Sequence, residues 1–247
     1  MIFQLDALPF IASVGSQTMD VTLTDPPYNK EAQQGARSVY DGRTSGPSAL
    51  GKGGEGIAWH LTDDDISTLV RELVRVTRRW CLVFCALEQL GVYRRAALKA
   101  WTRAGMWSPD YGDDAPFFAG AWDRNDSGTP QLSADRPAQG AEGVAVFHNP
   151  TTVKRWNGRG GRGIWRHTVD RSEGRHPNQK PYPLAVELVS QFTEPGELVF
   201  DPYCGSGVFG RAALALGRRY IGNDAGVCKV SGIPYAVSAN ESLRRVA

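Results

Sequence analysis

The sequence has few cysteines and lacks the features that mark several classes of protein. Its four cysteines have neither the spacing of zinc ligands nor a histidine cluster beside them, so neither a metal site nor a disulfide scaffold is expected. The amino terminus has no basic segment followed by a long apolar one, and no stretch has the length of a membrane span. No membrane partner is therefore expected, and a reducing cytoplasm is the expected location.

The excess of positive charge is also small. A formal net charge of +2 does not indicate a polyanion partner by itself, so any basic surface has to be local. A chain of 247 residues that is 41% hydrophobic can bury the core of one large α/β domain. We therefore expect a single domain over residues 1–247, with an insertion embedded at residues 107–175.

The most informative motif is Asp25-Pro26-Pro27-Tyr28, which follows the apolar, β-branched residues 21–24. Such a run predicts a buried strand that the two prolines end abruptly. Pro27 has no N–H group and Pro26 fixes the turn, so this strand end offers hydrogen-bond acceptors only. Asp25 adds a carboxylate, and Tyr28 adds an aromatic face. The motif fits the exocyclic amine of a nucleobase, and the alternative is a rigid turn with no further role.

A glycine-rich turn, Asp201-Pro202-Tyr203-Cys204-Gly205-Ser206-Gly207, stands between a predicted strand (198–201) and a predicted helix (208–216). In this arrangement backbone N–H groups and the helix start can approach a bound ligand closely. Asp224 ends the next predicted strand, where an acidic residue commonly binds a ribose hydroxyl pair. The spacing favours a nucleoside-type cofactor over an ordinary βαβ turn. The third glycine of a dinucleotide fingerprint and a Gly-Lys-Ser/Thr phosphate loop are both missing.

The alternation of strand and helix is interrupted between residues 107 and 175, where only residues 144–148 have a clear strand pattern. Cations are interleaved there with Trp156, Trp165 and several glycines. Cations and stacking rings on a flexible backbone are what contact with phosphates and bases requires, whereas the alternative is a solvated loop. The candidate nucleic-acid-contacting residues are Lys154, Arg155, Arg159, Arg162 and Arg166.

Elsewhere strands and helices alternate, which predicts an α/β fold with a parallel sheet. Thr62 and Asp65 have the spacing of a capping box at the start of a helix over residues 63–76. The other predicted strands are residues 1–5, 18–24, 81–86 and 219–224, and the other predicted helices are residues 8–14, 88–104 and 183–193. Residues 30–58 have little periodicity, which predicts a long mobile loop able to close over a substrate.

The two loops together resemble the catalytic loop and the S-adenosylmethionine-binding loop of amino-group DNA methyltransferases. The segment His176-Pro177-Asn178-Gln179-Lys180-Pro181 resembles the His-Pro-x-Gln-Lys-Pro segment of the permuted β group of that family, in which the catalytic loop also comes first. Residues 128–148 resemble phage and prophage members. Related protein-glutamine and RNA-guanine methyltransferases usually carry Asn in place of Asp25 and have the cofactor loop first, so both features argue against them.

The resemblance implies a Rossmann-like methyltransferase fold, with a mostly parallel seven-stranded sheet that is circularly permuted and an inserted irregular target-recognition region. Two features depart from the family. Tyr203-Cys204 stands where Phe-Ala or Phe-Gly is usual, and the region after Asp224 is very short. The short tail is accommodated if residues 1–6 supply the next strand of the cofactor half.

The resemblance further implies that S-adenosylmethionine is the cofactor and double-stranded DNA the partner, with methyl transfer to N6 of a flipped-out adenine by Asp25, Pro26, Pro27 and Tyr28. The residues expected to bind the cofactor are Asp6, Lys180, Asp201, Tyr203, Cys204, Gly205, Ser206, Gly207 and Asp224. Members specific for N4 of cytosine more often carry Ser at the Asp25 position, which favours adenine. Cytosine methylation, an RNA substrate and a non-catalytic DNA-binding relative remain alternatives, and the chain can be a monomer or a homodimer.

Overall fold

The computed structural model describes residues 1–28, 60–108, 116–124, 140–169 and 179–226. Three segments with predictions attached fall outside these ranges: the loop at residues 30–58, residues 128–139 of the phage-like segment, and residues 176–178 of the His-Pro-x-Gln-Lys-Pro segment. None of the helices in the described part is long and apolar enough to cross a membrane.

A single sheet of eight strands, in the order β1-β8-β7-β2-β3-β5-β4-β6, forms the centre of the described chain. The strands are β1 (Ile2–Phe3), β2 (Met19–Thr24), β3 (Thr77–Cys85), β4 (Phe117–Asp123), β5 (Ala141–His148), β6 (Ile164–Arg166), β7 (Leu198–Asp201) and β8 (Arg219–Asn223). Of these strands, β5 alone runs opposite to the others. The predicted mostly parallel α/β sheet is therefore confirmed, and the carboxyl ends of β2, β3, β7 and β8 meet at one edge.

Helices cover both faces of this sheet. They are α1 (Ala7–Ser13), α2 (Asp63–Val76), α3 (Leu90–Arg103), α4 (Tyr182–Phe192) and α5 (Val208–Ala215), and a 3-10 turn (Leu87–Gln89) precedes α3. The first three pack on one face, in a core that includes Phe10, Leu69 and Tyr93. The last two pack on the other face, in a core that includes Leu188 and Phe209. The central strands of the sheet are thus buried on both faces, as parallel strands require, whereas β4 and β6 carry exposed residues.

The predicted capping box at α2 is confirmed. Thr62 Oγ1 accepts the N–H of Asp65 at 3.2 Å, and Asp65 Oδ2 accepts the N–H of Thr62 at 2.9 Å. The helix begins and ends where its pattern predicts. The strand that follows, β3, begins at Thr77 and not at the predicted residue 81, because its start pairs with the start of β2. The sequence did not show this start, since Arg78 and Arg79 interrupt the apolar run.

The expected count of seven strands and the expected irregular insertion were both wrong. Residues 107–175 contribute β4, β5 and β6 to the sheet, and β6 is the eighth strand at its edge. The pairing requires Gly120, because a Cβ atom there would lie 2.7 Å from the buried ring of Trp165 on β6. Strands are usually predicted from an alternation of polar and apolar residues. The glycine and tryptophans of β4 and β6 replace that alternation, so these strands were not predicted.

The amino-terminal strand lies beside β8, the position suggested for residues 1–6. Ile2 pairs with Gly222 and Phe3 with Asn223, in parallel. The Asn223 side chain accepts the N–H of Leu5 at 3.1 Å and donates to the carbonyl of Leu5 at 2.9 Å. Residues at the end of β1 are therefore fixed next to the end of β8.

Candidate active site

The two predicted loops lie side by side at the carboxyl edge of the sheet, because β2 and β7 are neighbours. Thr24, the last residue of β2, donates its hydroxyl to Asp201 Oδ1 at 2.8 Å. The same Thr24 oxygen accepts the N–H of Tyr203 at 3.3 Å, and Tyr220 donates its hydroxyl to Asp201 Oδ2 at 3.3 Å. Thr24 and Asp201 are both fully buried. This hydrogen-bonded chain ties the end of β2 to the glycine turn.

Asp25 lies in a cluster of buried and partly buried polar groups that we call the acceptor cluster: Asp25, Tyr28, Arg124, Glu142 and Lys180. Lys180 Nζ donates to Asp25 Oδ2 at 2.5 Å and lies 3.1 Å from Glu142 Oε2. Tyr28 Oη donates within this group, at 3.1 Å from Asp25 Oδ1 and 2.5 Å from Glu142 Oε2. Arg124 binds the other oxygen of Glu142. Two carboxylates thus face two cations.

This arrangement shifts the pKa values of Asp25, Glu142 and Lys180, and the shifts determine which of them are charged. Burial raises the pKa of Asp25, although the charge of Lys180 opposes the rise. Burial also favours protonation of Glu142, but Lys180 and Arg124 outweigh it and lower its pKa to about 2. Burial lowers the pKa of Lys180, and the two carboxylates reverse this so that its pKa is raised overall. At neutral pH the cluster therefore contains an ammonium ion, an ionised Glu142, and an Asp25 of increased proton affinity.

Aromatic rings surround the Lys180 ammonium. Its nitrogen lies 4.9 Å from the ring centroid of Phe84, 5.6 Å from that of Tyr28 and 5.7 Å from that of Trp122. Such contacts stabilise a desolvated cation. Lys180 is only 6% exposed, so its position is fixed by these rings as well as by the carboxylates. It lies beside the predicted catalytic residues, and its predicted role in cofactor binding stays a prediction.

Glu142 was missed by the sequence analysis. Because β5 runs antiparallel to β3, with Gly143 opposite Cys85, its first residues lie at the carboxyl edge of the parallel strands. This reversal brings Glu142 to the motif at the end of β2. A signal existed, because Glu142 is the one acidic residue at the start of the apolar run 143–147, and an acidic residue buried in a strand needs a cation.

The glycine turn has the backbone that close approach of a ligand needs. Gly205 (φ +47°) and Gly207 (φ +69°) both adopt the left-handed region, and no atom of the described residues lies within 4 Å of the position that a Cβ would take at Gly205. Asp224 accepts the N–H of Gly205 at 2.9 Å and the N–H of Gly226 at 2.8 Å. The acidic residue predicted to bind a ribose therefore lies against the turn itself.

The other residues predicted to bind the cofactor differ in position. Asp6 is exposed and immediately precedes α1, beside the end of β8. Cys204 is buried, and its N–H donates to the carbonyl of Asn223 at 2.8 Å. Tyr203 and Ser206 are partly exposed on the turn. Tyr203, Gly205 and Ser206 thus form the accessible part of this surface, whereas Asp201, Cys204 and Gly207 are buried beneath it.

The five basic residues are all exposed, whereas the two tryptophans between them pack against the core. Trp165 is 2% exposed and donates its ring N–H to Gln191 Oε1 at 2.9 Å. Trp156 packs against the core near Phe192, at 6.2 Å between ring centroids. The expectation that these rings are available to bases was therefore wrong for Trp165, whereas Trp156 is only partly buried. Apolar burial, which a pattern of cations and glycines does not reveal, decides their orientation.

The basic residues are spread between the amino ends and the carboxyl ends of the parallel strands. The carbonyl of Arg155 accepts the ring N–H of Trp80 near the start of β3, far from the acceptor cluster. Arg166 pairs with Asp123 at the end of β4, on the same edge as the cluster. Of the five basic residues, Arg166 therefore lies at the same carboxyl ends of the strands as the candidate site.

We expect the stability of the protein to depend on pH through Asp201. Burial raises its pKa from 3.8 to about 8, so its contribution is complete below pH 3.8 and is lost as pH rises through about 8. The melting temperature of the wild type should fall by at least about 4 °C between pH 6 and pH 9, measured by circular dichroism. Asp201→Asn, which cannot ionise, should show a flatter profile, and parallel profiles for the two proteins would contradict this expectation.

Comparisons with known proteins agree with this geometry. Residues 122–227 match the family described as DNA methylase. The Type II methyltransferase M2.DpnII of Streptococcus pneumoniae is 44% identical over 57 residues, which are 23% of this chain and 21% of that protein. The protein YubD of Escherichia coli (strain K12) is 27% identical over 226 residues, which are 89% of this chain and 82% of that protein.

Solved structures show the same fold. The crystal structure of the M1.HpyAVI–SAM complex has a TM-score of 0.60 at 17% identity, over 92% of this chain and 94% of that chain. The PvuII DNA methyltransferase, which is cytosine-N4-specific, has a TM-score of 0.61 at 14% identity, over 99% of this chain and 90% of that chain. At these identities the likeness concerns the fold alone.

The sheet order and the two adjoining loops define an α/β domain of the methyltransferase-like class. Residues 122–227, less than half of the chain, are similar to the N6/N4 DNA methylase family. The motif at residues 25–28 lies outside the matched segment, and the structure brings it against that segment through Glu142, Lys180 and Asp201.

Proposed function

We propose that this chain is a site-specific DNA methyltransferase that transfers a methyl group from S-adenosylmethionine to the exocyclic N6 amine of a flipped-out adenine in double-stranded DNA. One observation carries the proposal: the Asp25 carboxylate lies at the end of β2, and its neighbour Thr24 is hydrogen-bonded to Asp201 at the start of the glycine turn. This bond holds the Asp25 carboxylate, which can accept from an amine, next to the glycine turn, which fits a nucleoside.

The chemistry follows from what an exocyclic amine lacks. Its lone pair is delocalised into the ring, so two acceptors must hold its hydrogens for the lone pair to point at the methyl group. We propose that the Asp25 carboxylate and the Pro26 carbonyl are these acceptors. Because burial raises its pKa, Asp25 is a stronger base than an ordinary aspartate, and we propose that it accepts the proton that the amine loses after transfer.

The glycine turn fits the cofactor. A side chain at Gly205 would occupy open space over the turn, and that space is what a bound nucleoside would take. We propose that the cofactor binds along Tyr203, Ser206 and Gly207, with its ribose at Asp224 and Asp6 near its adenine. When bound, S-adenosylmethionine supplies a methyl group on a sulfonium ion. The permuted order of the two loops and the role of residues 107–175 in target recognition are part of this proposal.

Methylation of N4 of cytosine is the second candidate, because that amine presents the same two hydrogens to the same acceptors. The fold supports both, since the cytosine-N4-specific PvuII enzyme shares it. We favour adenine because the acceptor at residue 25 is Asp and not Ser.

The proposal is tested by sequencing, with modification detection, the DNA of cells that express this chain. We expect one methylated base type within one recurrent sequence, and digestion followed by mass spectrometry identifies N6-methyladenine or N4-methylcytosine. Labelled methyl transfer to purified DNA, with RNA as competitor, tests the same activity in solution. Absence of any methylated nucleotide in both assays would reject the proposal and favour a non-catalytic DNA-binding protein.

Neutralising the basic segment is expected to weaken DNA binding. Arg159 and Arg162 are exposed and face solvent, so Arg159→Ala with Arg162→Ala should remove up to two phosphate contacts and lower the salt dependence of the binding constant by about two in logarithmic slope. Fluorescence anisotropy over a range of salt concentrations measures both. The matched control is Arg94→Ala with Arg95→Ala, which removes two exposed arginines from α3. Equal affinities and slopes for the two double variants would identify residues 159–162 as a solvated loop.

A further inference from the structure

The acceptor cluster contains a hydrogen-bond donor next to the acceptor, and the proposed reaction uses only the acceptor. Lys180 Nζ lies 2.5 Å from Asp25 Oδ2, so an ammonium and a carboxylate stand side by side at the end of β2. A flipped base is read through its Watson–Crick edge. On that edge adenine and cytosine carry an amine, which donates, beside a ring nitrogen, which accepts.

We propose that Lys180 donates a hydrogen bond to the ring nitrogen next to the target amine, N1 of adenine or N3 of cytosine, while Asp25 accepts from the amine. The inference rests on the proposed function and deepens it, because it assigns the residue that recognises the base. Guanine and thymine present the reverse pattern, a carbonyl beside a ring N–H. Their N–H would meet the ammonium and their oxygen would meet the carboxylate, so the pair Asp25–Lys180 selects bases that carry an amine.

Lys180 is the cation of the cluster that lies beside Asp25. An ammonium has three N–H groups, and those of Lys180 contact Asp25 at 2.5 Å, Glu142 at 3.1 Å and Tyr28 Oη at 3.4 Å. The third contact is the longest and goes to a hydroxyl, so it is the one that a ring nitrogen can replace. Tyr28 has a single hydroxyl hydrogen, and Glu142 accepts it at 2.5 Å.

Burial and charge keep Lys180 suited to this role. The two carboxylates raise its pKa, so it remains a donor throughout the pH range of an enzyme assay. The rings of Phe84, Tyr28 and Trp122 restrict where its nitrogen can move. A hydrogen bond from a buried charged donor discriminates more strongly than one between neutral groups, because leaving the donor unpaired is costly.

The test combines a substitution at Lys180 with removal of the ring nitrogen from the target base, and it measures whether the two effects on affinity depend on each other. The target found by modification-detecting sequencing is placed in a duplex that carries either adenine or 1-deazaadenine, which has a C–H in place of N1; 3-deazacytosine serves if the target is cytosine. Affinity in the presence of S-adenosylhomocysteine is compared for the wild type, Glu142→Gln, and Glu142→Gln with Lys180→Met. The double variant loses one positive and one negative charge. The single variant Glu142→Gln keeps Lys180 and is therefore the matched control.

We expect the wild type and Glu142→Gln to bind the adenine duplex at least about tenfold more tightly than the deaza duplex, and the double variant to bind both equally. Because the deaza base would also open more easily from a base pair, the target base is placed opposite an abasic site in both duplexes, so that no base pair has to open. A preference retained in the double variant would overturn the proposal. So would a wild type that methylates adenine yet shows no preference, a result that requires no variant to fold. A wild type that methylates no DNA would instead reject the proposed function.

Discussion

Replacing Asp25 by alanine is expected to abolish measurable methyl transfer, a loss of at least about a thousandfold. The variant lacks the carboxylate that holds the amine and receives its proton, and neither Glu142 nor Tyr28 can replace it, because both are engaged with Lys180 or with each other. Cofactor binding should be largely intact, since the glycine turn is held by Thr24, Asp201 and Asp224 and not by Asp25.

Two measurements separate these effects. Transfer of a labelled methyl group to DNA reports the reaction, and isothermal titration calorimetry with S-adenosylmethionine reports cofactor binding. Asp25→Asn is the matched control: it keeps the size of the side chain and one acceptor oxygen but loses the base, so we expect it to retain more activity than alanine and less than the wild type. Undiminished methyl transfer by Asp25→Ala would show that Asp25 is not the acceptor.

The parts of the site that could be predicted from sequence are those fixed by local chemistry. Two prolines end β2 because they cannot continue a ladder, and the glycines of the turn adopt φ values of +47° and +69° that other residues rarely take. The strand–turn–helix element at β7 and α5 was therefore placed to within a residue or two. The contact between the two loops depends on the pairing of β2 with β7, because the carboxyl ends of neighbouring parallel strands meet at one edge.

The parts that could not be predicted depend on contacts between distant segments. The direction of β5 is set by its pairing with β3 and β4, and this direction decides that Glu142 belongs to the site. Lys180 was assigned to the cofactor by resemblance, whereas its position 2.5 Å from Asp25 depends on how the segment before α4 packs. The burial of Trp165 likewise depends on Gly120, more than forty residues away in the chain.

The second large effect is expected on stability, from Glu142→Gln. Removing one partner of a buried ion pair leaves the other charges uncompensated, which costs about 3 kcal/mol of the free energy of unfolding. Glu142 is the shared partner here, because Lys180 and Arg124 each bind one of its oxygens and Tyr28 donates to it. Urea denaturation followed by circular dichroism measures the loss. Asp123→Asn is the control, since its pair with Arg166 is exposed and should contribute no more than about 1 kcal/mol.

The dependence of this loss on pH distinguishes a charge effect from a packing effect. The surrounding cations outweigh burial and lower the pKa of Glu142 from 4.5 to about 2, so the stability that its charge contributes is complete above pH 4.5 and disappears as pH falls through about 2. The difference between the wild type and Glu142→Gln should therefore be largest near neutral pH and shrink between pH 4.5 and pH 2. A difference that stays constant over this range would mean that the glutamine disturbs packing, and that the carboxylate does not hold the two cations in place.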